Sequence, residues 1–386
     1  MWCVIVAMLA DVDLDDSPAE RHFRFELRAW LADHAPSRAH PVRGTSEYVA
    51  FARAWHRTLF EAGYAALSWP EEHGGRGAGP ALQVIFEEEL GRIGAPGLAN
   101  HLGIHHVGPA IMTFGTDAQK LRYLEPMRSA DEIWCQGFSE PDAGSDLANV
   151  QTRAVLDGDA FVVNGQKVWT TWGHFADWCQ LLVRTEPDAP KHKGISCLLV
   201  DMQSPGITIR PLRQMSGEAE FNEIFLDEVR VPAQNLLGAR GEGWAVAMAT
   251  LASERSSVLT FHVKMKSLVS ELGQLARAHG RDGDPLVRQA LGRCAMDARA
   301  LQVFSYWTVS NRGRTSGLEG SMAKLLWSEL QQRIYETAAD ILGPDGIVDS
   351  RWLHGLLDAR GLTIAAGTTE IQKNVLAERG LGMPRG

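Results

Sequence analysis

The sequence has no disulfide framework. Its five cysteines, at positions 3, 135, 179, 197 and 294, form no CxxC pair and no zinc-finger spacing. That pattern favours reduced thiols and a cytoplasmic setting over a stapled secreted domain. Basic charge is also short. Lys and Arg total 38 against 47 Asp and Glu, the net charge is −9, and the cations are not clustered. This excludes a nucleic-acid footprint, although a few local Arg or Lys would still suffice for a polyanionic ligand. No apolar run is long enough to span a membrane. The stretch Met1–Ala10 is apolar but lacks a basic start and runs into acidic Asp11–Asp16, so it makes a poor signal peptide, and Met8 is an alternative start. The glycine-rich stretch Trp69–Pro80 fits neither GxGxxG nor GxxxxGK[ST]. No βαβ alternation, internal repeat or low-complexity segment is present, which disfavours a Rossmann sheet.

What is present is a long globular chain. At 386 residues, 45% hydrophobic and 22% charged, it can bury a large core in two or three domains. The periodicity divides it into an N-terminal helical part (1–130), a middle antiparallel β-barrel or sandwich (131–237) and a C-terminal helical bundle (238–386). Ser17 is a plausible N-cap for a helix over Ala19–Asp33, and a second helix covers 46–62 and ends at Gly63. Leu82, Ile85, Phe86, Glu89, Leu90 and Ile93 fall at helical spacing over 81–93. In the middle part, Ala160–Val163, Asn164-Gly165 and Lys167–Thr171 read as a hairpin, because Asn-Gly suits a type I′ turn. Ile195–Val200, Ile207–Pro211 and Glu223–Val231 supply further strands. A long apolar-periodic run then extends from Gly243 to about His279, with helical patterns again at 286–310, 321–342 and 369–379, giving roughly four bundle helices.

Three places carry candidate chemistry. The first is Ser139–Leu147, Ser-Glu-Pro-Asp-Ala-Gly-Ser-Asp-Leu, between the helical and strand-rich regions. Pro141 fixes the backbone, Gly144 allows a positive φ, and Ser139 and Ser145 offer hydroxyls, so the stretch reads as a ligand loop or a solvated turn. Trp169, Trp172 and Trp178 gather just after it. The second is Glu254. It falls with Leu251, Val258 and Phe261 at offsets of three, seven and ten, which sets a carboxylate on an apolar stripe. Such a group is a structural ion pair, an edge position, or a general base whose pKa is raised by desolvation. The third is His101, His105 and His106. No carboxylate stands between the first two as in HExxH, so a satisfied helix face is favoured over a metal site.

Four segments together resemble the acyl-CoA dehydrogenase family. Ser139–Leu147 resembles its flavin-and-substrate loop. Asn164-Gly165-Gln166-Lys167-Val168-Trp169-Thr170-Thr171 resembles its second flavin segment. The region 210–244, with Gly217-Glu218-Ala219-Glu220-Phe221-Asn222-Glu223 and Val231-Pro232, resembles its barrel exit. Gly367-Thr368-Thr369-Glu370-Ile371-Gln372 resembles its C-terminal flavin segment. The resemblance runs from about residue 17 to 382. It implies FAD, an acyl-CoA substrate and α,β-dehydrogenation, in which a carboxylate removes the pro-R α-proton and the β-carbon gives hydride to flavin N5. It places Phe138, Ser139, Gly144, Ser145, Trp169, Thr171, Gly367, Thr368 and Glu370 at the cofactor, and Ser145, Arg255 and Ala366 at the substrate. Within that set Trp169 packs on the isoalloxazine and Thr171 lies near N5.

Departures from the pattern sharpen the expectation. Most members carry the catalytic glutamate just before the Gly-Thr that here is Gly367-Thr368, and this chain has Ala366 there. A subset, isovaleryl-CoA dehydrogenase among them, carries the base on the long helix directly before an arginine, which here is Glu254 before Arg255. The usual Arg-x-x-Phe-Gly is replaced by Arg281-Asp282-Gly283-Asp284-Pro285-Leu286, and the usual Gly-Gly turn by Leu342-Gly343-Pro344-Asp345-Gly346. Both segments normally reach FAD held by a neighbouring subunit. The resemblance therefore implies a homo-oligomer, dimer or tetramer, or a heterotetramer in which this chain brings the base and part of the flavin site. It also implies an electron-transferring flavoprotein as acceptor. The other readings are a flavin-binding partner subunit inactive alone, and an oxidase or monooxygenase on the same fold.

Overall fold

The computed structural model describes residues 15–36, 40–41, 44–257, 260–311, 317–348 and 350–384. The side chains at 254–257, 347 and 350 lie outside the described set, as does the apolar stretch Met1–Ala10 with Met8. By its packing the chain divides into two compact units, one of residues 36–78 and 95–254, the other of residues 1–35, 79–94 and 255–386.

The first unit is built on a mixed eight-stranded sheet. Helix α1 belongs to the other unit and spans Pro18–His34; here the chain contributes α2 (Ser46–Glu61), capped by the Thr45 hydroxyl. After α3 (Pro80–Ile93, again of the other unit) come a π-helical turn Gly103–Val107, α4 (Gly108–Phe114) and α5 (Asp117–Ser129). The strands are β1 (Trp134–Gly137), β2 (Arg153–Asp157), β3 (Ala160–Thr171), β4 (Trp178–Arg184), β5 (Ile195–Asp201), β6 (Ile207–Leu212), β7 (Phe221–Pro232) and β8 (Leu236–Leu237). Their order is β6-β7-β3-β2-β4-β5-β8, with β1 on β4. The expected all-antiparallel pairing is corrected at two places, since β1–β4 and β2–β4 are parallel. Strand β4 was not anticipated from the sequence; its interior residues are all buried, and a strand buried on both faces shows no alternation.

The expected hairpin at Asn164-Gly165 is also corrected. Residues 160–171 form one strand, and the tight turn lies earlier, where Asp157 pairs with Ala160 around left-handed Gly158. Asn164-Gly165 is instead a bulge against β7. Gly165 has φ +155, and a Cβ there would stand 2.6–2.8 Å from Thr152, so close backbone approach demands glycine.

One face of the sheet carries Trp134, Phe138 and Leu182 into a core with Ile104 and Val107 of the π turn and with Val246 and Ala247 of α6 (Gly243–Ser257). The opposite face packs Cys135, Phe161, Val163 and Leu181.

The second unit is helical. In α1 the Ser17 hydroxyl and Glu20 form a reciprocal capping box, and Phe23, Leu27 and Leu31 are buried at four-residue spacing. Glu89 of α3 lies on that helix's apolar stripe and is almost fully buried. It is held by Arg24, Arg28 and Arg92 at 2.8–2.9 Å. The bundle proper comprises α7 (Phe261–Ala278), α8 (Pro285–Ser310), α9 (Glu319–Leu342) and α10 (Ser350–Leu362) around Met265, Leu272, Leu301, Ile334 and Trp327. Helix α10 escaped the sequence reading. Helix α11 (Thr369–Val375) follows.

The single run expected from Gly243 to about His279 is two helices. α6 ends at Ser257 and α7 opens at Phe261. The four-residue stripe that suggested Glu254 is therefore not one helix face. Leu251 and Glu254 share α6, Val258 lies outside the described residues, and Phe261 belongs to α7.

Candidate functional site

The loop after β1 is held in place from below. Glu140 and Ala143 bond each other's backbone in both directions, closing a turn with Pro141 at its second position. The Glu140 carboxylate is buried. It accepts from Lys167 Nζ at 2.8 Å and from the backbone N–H groups of Gln151 and Thr152 at 2.6 and 2.9 Å. Burial opposes its charge, but the Lys167 ammonium and these bonds hold its pKa below the usual carboxylate range. Lys167 Nζ also donates to the Phe138 carbonyl at 3.1 Å. One buried ion pair thus fixes the start of the first motif to the second, and the same carboxylate holds the chain just beyond the loop. The Arg184 guanidinium donates to the carbonyls of Ala148 and Val150, securing the loop's exit. None of these three anchors was singled out in the sequence as a positioning group, although the Glu and Lys sit inside the motifs.

On that base, Phe138 is buried in the core, Ser139 is half-buried with its carbonyl accepting from Val168 N–H at 3.0 Å, and Ser145 is exposed. Gly144 is exposed and is not among the left-handed glycines, and a Cβ there would meet nothing within 4 Å. The positive φ that glycine allows is not used at this position: the turn is closed by Pro141 and the Glu140–Ala143 pair.

The second motif ends in a second bulge, between Lys167 and Thr170. Trp169 there has φ +62 and is 59% exposed, with Phe221 edge-on to its ring. A large aromatic held left-handed in the open is strained, and such strain persists only where surroundings impose it. Asn222 supplies part of that frame by donating to the Thr170 carbonyl at 2.9 Å, and Trp172 N–H donates to the Glu220 carbonyl at 2.7 Å. Thr171 is half-buried beside it. The three tryptophans do not form one group: Trp178 stacks on Trp134 in the core, and Trp172 meets Tyr48.

In the helical unit, Ala366 and Gly367 are both left-handed, at φ +54 and +85. The Ala366 carbonyl accepts from Gln372 Nε2 at 2.8 Å, and a Cβ on Gly367 would come 2.6 Å from that same nitrogen. Thr368 caps α11 through its hydroxyl, which accepts from Ile371 N–H at 3.2 Å. Glu370 is exposed, and backbone and Thr368 hydrogen bonds lower its pKa. The side chains of Glu254 and Arg255 lie outside the described residues; their backbone belongs to α6.

The residues fit a flavin. The Trp169 ring offers an open aromatic face. Thr170 Oγ1 beside it and Thr369 Oγ1 in the C-terminal motif are buried hydroxyls with no hydrogen-bond partner among the described residues. Buried polar atoms left this way call for a ligand or water. No group of three or more metal-ligating side chains occurs among the described residues. The rings of His101 and His105 lie 4.7 Å apart between centroids, tilted by 51°, within and beside the π turn.

Comparison with known proteins places this geometry. The acyl-CoA dehydrogenase N-terminal, middle and C-terminal domain families match residues 17–131, 135–229 and 241–381. The acyl-CoA dehydrogenase IpdE1 of Mycobacterium tuberculosis is 43% identical over 376 residues, covering 94% of this chain and 97% of its own. FadE29, an acyl-CoA dehydrogenase of the same organism, is 31% identical over 386 residues, covering 96% and 99%. Among solved structures, the ChsE4–ChsE5 complex from Mycobacterium tuberculosis has 31% identity and a TM-score of 0.85, covering 97% of this chain and 100% of that one. The Tcur3481–Tcur3483 steroid ACAD has 29% identity and a TM-score of 0.85, with the same coverage. The chain belongs to the acyl-CoA dehydrogenase family. It is an oxidoreductase of the flavoprotein type that this family contributes to lipid metabolism. Among the described residues no helix is long and apolar enough to cross a membrane.

Proposed function

We propose that the chain dehydrogenates an acyl-CoA thioester to the trans-2-enoyl-CoA, with Glu254 as the base. The observation that carries this is the residue at the usual base position: Ala366 is left-handed and its methyl group cannot take a proton. Glu254 is the carboxylate on α6 that the chain offers in its place. A free glutamate has a pKa of about 4.3. Bound substrate that excludes water raises it, and the carboxylate then takes the α-proton. Phe138, Ser139, Trp169 and Thr171 would line the isoalloxazine portion of FAD, Ser145 would reach the flavin or the CoA arm, and Thr368 and Glu370 would lie near the ribityl and phosphate portion. FAD, when bound, supplies the acceptor for the β-hydride. Trp169 shields one face of the reacting pair from water, and Arg255 and Ala366 line the thioester.

A second reading, that the chain is one half of a heteromer, is favoured by a specific observation. Arg281 pairs with Asp284 at 2.7 Å and donates to the carbonyls of Asp340 and Ile341 at 3.3 and 3.5 Å. The first segment that departs from the family pattern is thus tied to the end of α9, just before the second, and this arginine is engaged at home. Two of the similar solved structures pair two different chains by name. One of them is called a steroid ACAD, which supports a bulky acyl group as substrate.

The test is anaerobic titration of the purified chain with acyl-CoAs from short branched to bulky ring-bearing. Loss of the oxidised-flavin band, with a product lighter by two hydrogens, supports the reading. A flavin that no thioester reduces, alone or with a partner chain, contradicts it.

A further inference from the structure

The sheet face beneath the flavin loop carries a polar pair that the reaction as described does not use. His106 lies in the π turn Gly103–Val107 and is 4% exposed. Its Nδ1 stands 3.4 Å from Gln136 Oε1 on β1. An amide oxygen only accepts, so Nδ1 donates and Nε2 is left as a bare acceptor. His106 Nε2 and Gln136 Nε2 are both buried, and neither has a hydrogen-bond partner among the described residues. Turning the amide over exchanges the roles but still leaves one donor and one acceptor. Burial lowers the His106 pKa to about 4, so the ring is neutral at working pH.

Within its unit this pair lies close to the loop after β1. Gln136 precedes Phe138 by two residues on the same sheet face, or ~7 Å at the strand rise. Gln136 is the register partner of Gln180, whose Nε2 donates to Thr250 Oγ1 of α6 at 3.0 Å. Thr250 precedes Glu254 by one helical turn, ~6 Å along the same side of α6. A strip of polar side chains, His106, Gln136, Gln180 and Thr250, thus runs from the flavin loop toward the proposed base through an otherwise apolar core. π turns of this kind recur at functional sites.

We propose that His106 and Gln136 form a specificity site for a hydroxyl group on the acyl portion of the substrate. A hydroxyl both donates and accepts, which matches the one acceptor and one donor left open. Leaving both unpaired beneath a purely hydrocarbon chain is costly, so the site selects an oxygenated acyl group over its deoxy analogue. This rests on the acyl-CoA dehydrogenation proposed above.

The test compares matched thioesters: ω-hydroxyacyl-CoAs of five to eight carbons against the unsubstituted chains, and 3-(4-hydroxycyclohexyl)propanoyl-CoA against 3-cyclohexylpropanoyl-CoA. Flavin reduction and kcat/KM are read for each pair. The expected result is a preference of roughly 10²-fold or more for the hydroxylated member of at least one pair. His106→Leu and Gln136→Met should each collapse that ratio to within about threefold. Gln136→Met, at the less buried position, carries the test if His106→Leu does not fold. Equal use of both members in every pair by the wild type overturns the proposal and assigns the two atoms to a buried water. A preference that survives in a folded variant also overturns it. If no thioester of either kind reduces the flavin, the dehydrogenase reading falls, and this one with it.

Discussion

Trp169 is the residue whose conformation makes least sense without a ligand. Its left-handed backbone and open ring bring little to the core, so Trp169→Ala should leave the thermal midpoint within about 2 °C while weakening FAD binding at least tenfold, checked by flavin fluorescence titration. Lys167 is the opposite case. It is wholly buried and bonded to Glu140, so Lys167→Met strands a buried carboxylate and should cost about 3–5 kcal/mol in urea unfolding. Both residues were legible as parts of motifs, but their roles were not. A sequence shows that a tryptophan stands beside two threonines, whereas a bulge decides that it faces outward. The same limit applies to the argument from apolar stripes. Glu89 sits on such a stripe and proves to be a structural group, clasped by three arginines. What separates Glu254 from it is the alanine at 366, a feature visible only by comparison with a family pattern.

At the scale of elements, the first helix was legible to within a residue or two because Ser17 marks its start chemically, and the second, which Thr45 caps in the structure, was legible from its periodicity and Gly63. Errors came where one signal served two structures. Asn-Gly suits a tight turn and also a bulge, and only the closeness of Thr152 to Gly165 decides between them. Strand β1 hangs on a buried network that yields a pH dependence. Asn100 accepts from Trp134 N–H at 3.0 Å, and Asn100 N–H donates to His56 Nδ1 at 3.3 Å. His56 in turn donates from Nε2 to the Arg128 carbonyl at 2.9 Å. Burial lowers the His56 pKa from 6.5 to about 4, with the Arg128 bond opposing. The unfolded chain therefore binds more protons between those values. The stability from neutral His56 is complete above pH ~6.5 and is lost as pH falls toward 4, by at most roughly 3 kcal/mol. His106 shifts in the same direction. Urea midpoints should fall steadily from pH 7 to 4.5, and His56→Gln should flatten that slope.

At the scale of the whole molecule, the order of helices, sheet and helices was legible from periodicity alone, while the packing into two units was not. Each unit draws on distant parts of the chain, with α1 and α3 joining the C-terminal bundle and α2 joining the sheet. Long-range assembly of that kind leaves no local trace. The internal pairing of Arg281 with Asp284 and the α9 carbonyls bears on assembly. If the chain works as half of a heteromer, it should purify with less than one flavin per chain and reach full occupancy only with its partner, as absorbance against protein concentration would record.

The central claim is that the base sits at Glu254. It is tested most directly by anaerobic single-turnover reduction of wild type and Glu254→Gln, using a thioester that reduces the wild-type flavin, with flavin content matched. Reduction should slow by roughly 10²–10⁴-fold or more in the variant, and exchange of the α-proton with deuterated solvent should stop with it. A Glu254→Gln protein that reduces its flavin at the wild-type rate would contradict the account and return the search to another carboxylate.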